Sequence, residues 1–209
     1  CAFEEWGMGF AAEHTADKLG ISRSDMDEFS ARSHRRAAEA TTQGWFGSEI
    51  VPLEAAMIKQ KADVTADEGI RGDSTAEGLG KLRPAFKKDG TVTAGNASQI
   101  SDGAAAVLVA SEDAAQAMGV SPMVRILGTH TQGVEPKDLF EAPGLGIEAL
   151  LAAHGRAPSD IDLYEINEAF AAQAIANIRH LKLDEDRVNV CGGGIALGHP
   201  IGATGGMLI

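Results

Sequence analysis

The stretch IDLYEINEAFAAQAIANIRHLKLDEDRVNVC, residues 161–191, contains two apolar runs separated by an amphipathic pattern. The run IDLYEI predicts a buried strand, NEAFAAQAIANIRHL predicts a helix, and RVNVC predicts a second strand. Upstream, MVRILG at 123–128 predicts another strand and PGLGIEALLAAHG at 143–155 another helix. Strands that alternate with helices are typical of a parallel sheet covered on both faces, so the sequence predicts an α/β fold.

The first 122 residues follow a less regular pattern. Residues 20–40 predict a helix that Ser22 caps, because apolar side chains recur on one face. Residues 43–90 have irregularly spaced glycines and many charges, which predicts a loop-rich region with short helices. Residues 91–111 combine a β-branched start, a polar turn and an apolar strand of small residues, and Ser111 is expected to cap a further short helix.

Composition and charge narrow the class of protein. A formal net charge of −12 over 209 residues argues against nucleic-acid binding, because no basic face could neutralise phosphates. The basic run at 32–36 is flanked by acids and is expected to form a solvated helix face. No apolar run is long enough for a membrane span, and two cysteines make no disulfide framework, so we expect no membrane partner and a cytoplasmic protein. Because the chain starts at Cys1 and stops within an apolar run, we expect a fragment of a longer protein.

The glycine-rich stretch VNVCGGGIALGHPIGATGG, residues 188–206, invites comparison with phosphate-binding loops. A P-loop requires a lysine after its second glycine, but residues 188–209 contain no lysine. The nearest dinucleotide-type match, Gly144, Gly146 and Ala149, follows a polar segment instead of a strand. A nucleotide-dependent α/β enzyme is therefore the weaker alternative.

His199 and Asn167 are the candidate polar groups at the edge of the predicted sheet. Each follows a predicted strand, and ligands of parallel-sheet folds bind at the carboxyl ends of strands. The glycine before His199 would let a substrate approach the imidazole closely. Each residue also has an ordinary structural explanation, as a turn histidine held by Pro200 and as a helix N-cap asparagine.

Five motifs are spread along the chain: MGFAAEHTA (8–16), LRPAF (82–86), GTVTAGNASQISDGAAA (90–106), EINEAFAAQ (165–173) and NVCGGGIALGHPIGATG (189–205). In this order they closely resemble the thiolase family of acyl-coenzyme A acyltransferases. The resemblance spans essentially the whole chain, and its last two motifs are the most specific.

The resemblance implies a thiolase-like αβαβα layered fold, in which two αβα halves stack and a loop domain is inserted in the first. The chain would hold part of this fold and would expose sheet edges, which favours aggregation. It would also belong to a homodimer or homotetramer at full length. The implied domains are a coenzyme A-covering loop segment at 1–90, the end of the N-terminal half at 91–119, and the start of the C-terminal half at 120–209.

The chemistry implied is a Claisen condensation, or thiolytic cleavage of a 3-ketoacyl-CoA, through a cysteine thioester. The coenzyme A thioester is the substrate, and neither a separate cofactor nor a metal is expected. His199 would promote the thiolate and donate to the thioester oxygen, Asn167 would hold a water that is the second donor, and Glu168 would support both. A thiol has a pKa of about 8.5, so a neighbouring imidazole raises the thiolate fraction. One oxyanion donor is typically worth about 2.7–4 kcal/mol.

The same resemblance implies a pantetheine tunnel beneath the loop domain. Ser98 would hydrogen-bond the pantetheine amide, and Arg71 would lie near the nucleotide end, where a cation suits phosphate. The residues that would line the tunnel are Met8, Phe86, Ala94, Ala169 and Phe170.

Several positions depart from the family pattern. Gly7 replaces a frequent histidine, Gly78 replaces a serine that often touches the coenzyme, and Cys191 replaces the usual asparagine. Residues 141–149 lack the common Met-Gly-x-Gly-Pro, which leaves acyl preference open. The family's nucleophilic and basic cysteines would lie upstream and downstream of these residues, so neither Cys1 nor Cys191 is assigned as nucleophile. The 209 residues alone are expected to be inactive, and a non-catalytic protein that binds acyl-CoA or sterol thioesters is the alternative.

Overall fold

The computed structural model describes residues 3–209, so Cys1 lies outside the described residues. Nine α-helices and three short 3-10 helices account for the regular structure of this part of the chain. The α-helices are α1 (Met8–Leu19), α2 (Arg23–Thr42), α3 (Ala55–Ile58), α4 (Ala76–Gly80), α5 (Glu112–Met118), α6 (Ala142–Ala153), α7 (Ala171–Leu181), α8 (Gly194–Leu197) and α9 (Thr204–Met207). The 3-10 helices are Pro136–Glu141, Pro158–Asp160 and Glu185–Arg187.

Extended segments pair through single bridges within residues 3–209. Tyr164 and Val188 form a parallel bridge, in which the Tyr164 N–H donates to Arg187 O and the Asn189 N–H donates to Tyr164 O, both at 2.8 Å. The two predicted strands of the opening stretch therefore run side by side and parallel. Antiparallel bridges join Ala97 to Phe170, Leu53 to Val64 and Pro84 to Thr93.

The predicted strands at 104–110 and 123–128 are not packed in this structure. Both segments are exposed, with Leu108 at 83% and Met123 at 98% of full exposure. The prediction of packed strands is wrong here for a physical reason. An apolar strand is buried only where other elements cover it, and no bridge partner for either segment lies within the described residues.

Helix α2 begins as the sequence predicts. Ser22 and Asp25 form a reciprocal capping box, in which the Asp25 N–H donates to Ser22 Oγ at 3.1 Å and the Ser22 N–H donates to Asp25 Oδ2 at 3.0 Å. The expectation that residues 32–36 form a solvated face is wrong in part. Ser33 and His34 are buried, because α2 packs against α4, α7 and α8.

Helix α7 lies at the centre of the packing and is buried from residue 171 to residue 178. Its alanines have short side chains, which lets α1, α2 and α6 approach its backbone closely. Two apolar clusters meet at its start. One contains Met26, Phe29, Ile166, Val188 and Ile195, and the other contains Ala11, Ala12, Val92, Ala97, Phe140 and Phe170.

Candidate active site

Asn167 and His199 meet at the start of α7. Asn167 Nδ2 lies 3.3 Å from His199 Nε2, so the structure brings these two candidate residues together. The N-cap explanation of Asn167 is wrong, because the helix begins at Ala171 and Phe170 occupies the N-cap position. Asn167 instead lies in the turn between the parallel bridge at Tyr164 and α7. Its side chain is therefore free to point at the imidazole.

Thr204 fixes the second nitrogen of the His199 imidazole. Its hydroxyl lies 2.7 Å from His199 Nδ1 and donates to Pro200 O at 3.0 Å. A hydroxyl has one proton, so Thr204 must accept from Nδ1–H, which leaves the lone pair on Nε2. Burial also lowers the pKa of His199 below its usual value. The imidazole is thus neutral near pH 7 and presents a basic nitrogen beside Asn167.

Glu168 is a buried carboxylate that ties the site to α2. It is 1% exposed and accepts three hydrogen bonds, from Ser33 Oγ at 2.6 Å, Asn189 Nδ2 at 2.8 Å and the Ile195 N–H at 3.2 Å. Burial raises the pKa of Glu168, and these three hydrogen bonds act in the opposite direction. The three donors come from α2, from Asn189 beside the parallel bridge at Val188, and from α8. Glu168 therefore fixes these elements relative to one another.

The glycines at 192–194 let the loop before α8 pack closely against Ser33 and Glu168. Gly192 has φ +81°, and a Cβ there would lie 2.6 Å from Ser33 O. A Cβ at Gly193 would overlap the Glu168 carboxyl, and the Gly193 N–H donates to Ser33 Oγ at 3.1 Å. The glycine run therefore serves close packing rather than phosphate binding.

The segment 98–103 runs from the start of α7 to His199. Its Ser98 N–H donates to Ala169 O at 3.0 Å. Further along, a Cβ at Gly198 would overlap Ser101 Oγ, and a Cβ at Gly103 would lie 2.6 Å from Pro200 Cγ. The third, fourth and fifth sequence motifs are thus in direct contact.

Most of the residues expected to line a tunnel gather beside Ser98. Phe86 and Phe170 pack edge to face with ring centroids 6.1 Å apart, and Ala169 precedes Phe170. Met8 is next to Gly9, where a Cβ would overlap the Phe86 ring. Met8 and Phe86 remain about 40% exposed, at 41% and 40%, which leaves apolar surface for a ligand.

Ala94 and Arg71 are the two expected ligand residues outside this apolar group. Ala94 is exposed in a turn that the Thr93 N–H closes by donating to Asn96 Oδ1 at 2.8 Å. Arg71 is also exposed, and its backbone N–H donates to the buried His34 Nδ1 at 3.2 Å. Burial lowers the pKa of His34, which keeps that acceptor nitrogen unprotonated.

Cys191 is a half-buried free thiol beside the glycine run. Burial raises its pKa, and the carboxylates of Glu165 and Glu49 act in the same direction. A thiol with a raised pKa is protonated at neutral pH and is a poor nucleophile. This environment agrees with the expectation that Cys191 is not the nucleophile.

Thr204 and Asn189 complete the site but are not predicted from the sequence. Both lie in the glycine-rich stretch, and Thr204 follows His199 by five residues. A hydroxyl or amide at such a spacing is too common to single out without the fold. Only the turn at Pro200 brings Thr204 back to the imidazole.

A separate cleft of about 490 Å³ lies between α2 and α7, lined in part by Phe29, Arg32 and Arg179. Two of the three arginines that line it are already paired, Arg179 with Asp25 at 2.9 Å and Arg32 with Glu185. Among residues 3–209, no three His, Cys, Asp or Glu side chains could hold a metal ion together. In the same part of the chain, no helix has the length and apolarity of a membrane span.

These features define an α/β protein with a histidine–amide site at the start of a buried central helix. Residues 1–113 match the model of the thiolase N-terminal domain, and residues 120–209 match that of the thiolase C-terminal domain. The chain belongs to the thiolase family.

Individual relatives agree with this assignment. A probable acetyl-CoA acyltransferase of Staphylococcus aureus is 48% identical over 208 residues, which are 99% of this chain and 53% of that protein. The dimeric peroxisomal thiolase of Saccharomyces cerevisiae has a TM-score of 0.91 at 44% identity, covering 97% of this chain and 50% of that one. Human mitochondrial 3-ketoacyl-CoA thiolase in complex with CoA has a TM-score of 0.90 at 41% identity, covering 100% and 52%. The expected thiolase-like layered fold, present in part, is confirmed, and the chain spans about half the length of these relatives.

Proposed function

We propose that these residues work within a longer thiolase, an acyltransferase that moves acyl groups between coenzyme A thioesters. The observation that carries the proposal is the chain of contacts from Asn167 through His199 to Thr204, which presents a neutral, basic Nε2 at the carboxyl edge of the parallel segments. The matching S. aureus proteins are named as probable acetyl-CoA acyltransferases, which supports the same reaction class.

In this proposal His199 handles the proton of the nucleophilic cysteine, which the family resemblance locates outside these residues. Nε2 accepts the thiol proton, and the thiolate attacks the keto carbon of a 3-ketoacyl-CoA. The Cα–Cβ bond then breaks, a second cysteine gives its proton to the departing acetyl-CoA carbanion, and an acyl-enzyme thioester remains. The second cysteine, now a thiolate, takes the proton of the incoming coenzyme A thiol, and the coenzyme A thiolate attacks the acyl-enzyme thioester. The acyl group leaves on coenzyme A, and the first cysteine is released as a thiolate that recovers its proton from His199. His199 N–H stabilises the thioester oxygen as negative charge develops there.

Asn167 would complete the oxyanion site through a water molecule. Its Oδ1 is buried and accepts no hydrogen bond from the described residues. An unpaired buried acceptor is costly, so a donor is required there. A water that donates one proton to Asn167 Oδ1 and the other to the thioester oxygen would meet both needs.

Coenzyme A would lie along the apolar group next to Ser98. Ser98 would bind the pantetheine amide, and the exposed Arg71 would meet the nucleotide phosphates. The tunnel would be lined by Met8, Phe86, Ala94, Ala169 and Phe170. The human relative solved with CoA supports a coenzyme A substrate.

The rest of the proposal concerns the whole protein. Residues 1–90 would cover the coenzyme, 91–119 would end the N-terminal half and 120–209 would start the C-terminal half. The full-length protein would act in fatty acid metabolism as a cytoplasmic homodimer or homotetramer. The yeast relative is described as dimeric, which supports the assembly.

The direct test is thiolysis of acetoacetyl-CoA by the full-length protein that carries these residues. We expect coenzyme A-dependent formation of two acetyl-CoA, measured by chromatography of the thioesters. Tight binding of acyl-CoA without turnover would favour the non-catalytic alternative. Retention of NAD or ATP without coenzyme A binding would overturn the proposal in favour of a nucleotide-dependent enzyme.

A further inference from the structure

Gln99 connects two distant loops through a single amide nitrogen. Its Nε2 donates to Gly69 O at 2.9 Å, to Ile195 O at 3.0 Å and to Ala196 O at 3.2 Å. Gly69 lies in the loop two residues before Arg71, whereas Ile195 and Ala196 belong to α8. The Gln99 side chain is half-buried, and its two N–H groups serve three carbonyl acceptors. These contacts hold the amide in this position.

The two α8 carbonyls need such a donor. The helix has four residues, and its closing hydrogen bond runs from the Gly198 N–H to Gly194 O at 3.1 Å. The last carbonyls of a helix have no intrahelical partner. The Gln99 amide takes this place for Ile195 and Ala196 and so holds the carboxyl end of α8.

The end of α8 determines the direction of His199. Gly198 has φ +95° and packs on Ser101, two residues after Gln99, and His199 follows immediately. A shift of the α8 end would therefore rotate the imidazole away from Asn167, with which it makes a 3.3 Å contact.

We propose that Gln99 is a positioning residue that joins the loop around Gly69 to the end of α8 and thereby holds His199 in register with Asn167. The inference rests on the proposed function, since it assigns the link between the coenzyme-binding loop and the catalytic imidazole. It goes further because Gln99 touches neither reacting atoms nor, in the proposed arrangement, the pantetheine. Because both ends share the Gln99 amide, a change in the loop around Gly69 should affect the position of His199, and a change at His199 should affect the loop.

Two independent substitutions break this link. Gln99→Met keeps the length of the side chain and removes its donors. Gly69→Ala leaves Gln99 intact, but the added Cβ would lie 2.6 Å from Nε2 and displace it. Gln116→Met is the matched control, because Gln116 is an exposed glutamine on α5.

The full-length variants are compared by steady-state thiolysis. For Gln99→Met we expect kcat to fall about tenfold and the KM for coenzyme A to rise about threefold, the size expected from losing one or two neutral hydrogen bonds at each end. Gly69→Ala should give the same pattern, and the double variant should be no worse than Gln99→Met alone, because the shared amide is lost once. Gln116→Met should match the unmodified protein.

Kinetics and structure together separate the outcomes. A lower melting temperature with unchanged kcat and KM would make Gln99 a stability residue and overturn the inference, as would additive single variants. If the unmodified protein turns over no acyl-CoA, the proposed function fails on its own. In that case a crystal structure of Gln99→Met decides: a lengthened Asn167–His199 contact supports the positioning role, and an unchanged contact overturns it.

Discussion

A buried carboxylate and an exposed leucine show how differently two regions of this chain are organised. Glu168, in the site region, is 1% exposed, whereas Leu108, in the extended segment before α5, is 83% exposed. If hydrophobicity alone decided burial, Leu108 would be buried and Glu168 would be exposed. Glu168 is buried because three donors surround it, and Leu108 is exposed because no described element covers it.

Burial in this chain therefore follows the available partners as well as the hydrophobicity of the side chain. The site region, which contains Asn167, Glu168 and His199, packs against elements that are all present within the chain. These elements are α2, α7, α8 and the parallel bridge. The extended segments at 104–110 and 123–128 have the apolar pattern of strands without a pairing strand among the described residues. The site geometry therefore rests on these elements, and the exposed segment begins directly after Gly103, which packs against Pro200.

Replacing His199 with alanine should separate chemistry from packing most sharply. In the full-length protein we expect kcat for thiolysis to fall about 10³-fold or more, because both a general base and an oxyanion donor are lost. The free energy of unfolding should change little, since His199 is only half-buried. His180→Ala, at an exposed histidine paired with Glu148, is the control. Near-normal turnover would remove His199 from the mechanism.

Replacing Glu168 with alanine should have the largest effect on stability. The change leaves Ser33, Asn189 and the Ile195 N–H without their acceptor in a buried site. We expect a loss of about 3 kcal/mol or more in the free energy of unfolding, measured by urea denaturation. A loss below about 1 kcal/mol would show that the buried network rearranges easily and would break the contrast with Leu108.

The sequence predicted the helices and the pairing at the site better than it predicted the sheet. Ser22 and Ser111 cap their helices as expected, since these signals are local. Asn167 and His199 were predicted together because the carboxyl ends of neighbouring parallel strands meet. Packing of 104–110 and 123–128 could not be predicted, since it depends on partners distant in sequence. The role of Thr204 was likewise hidden, because it depends on the direction of one turn.

Replacing Thr204 with valine should weaken the site through His199, and it also removes the hydrogen bond that the hydroxyl donates to Pro200 O. Valine keeps the shape and removes the acceptor of Nδ1–H, so the imidazole loses its fixed tautomer. We expect kcat to fall about tenfold with little change in KM, consistent with one hydrogen bond to the base. Thr204→Ser should restore most of the activity. An inactive serine variant would indicate that the methyl group, and not the hydroxyl, supports His199.

Glu165 gives a smaller, pH-dependent test at the margin of the site region. Desolvation first, and the nearby Glu168 second, raise its pKa from 4.5 to about 7. The folded state therefore binds this proton more tightly, so the stabilisation is present below pH 4.5 and is lost as pH rises through about 7. Glu165→Gln should be more stable than the unmodified protein at pH 8 and equal to it at pH 4. Because Glu165 also contacts solvent, which screens its charge, the gain should stay under about 1 kcal/mol. An equal difference at both pH values would exclude this titration.

Leu108→Ser addresses the exposed side of the comparison and should have the smallest effect. In the 209-residue chain the leucine is 83% exposed, so little apolar contact is lost when it is removed. We expect the free energy of unfolding to change by less than about 0.5 kcal/mol, measured by urea denaturation. The matched buried change is Val92→Ala, at a side chain with 0% exposure, which should cost more.

The same two substitutions in the full-length protein test whether further strands cover the segment around Leu108. If further strands cover the segment there, Leu108→Ser should become as costly as Val92→Ala, because the leucine then enters a core. A large loss already in the 209-residue chain would mean that the segment is covered, for example by a second copy pairing along its edge. That result would mean that the segment is buried by pairing with another chain, so it would no longer differ from the site region in burial.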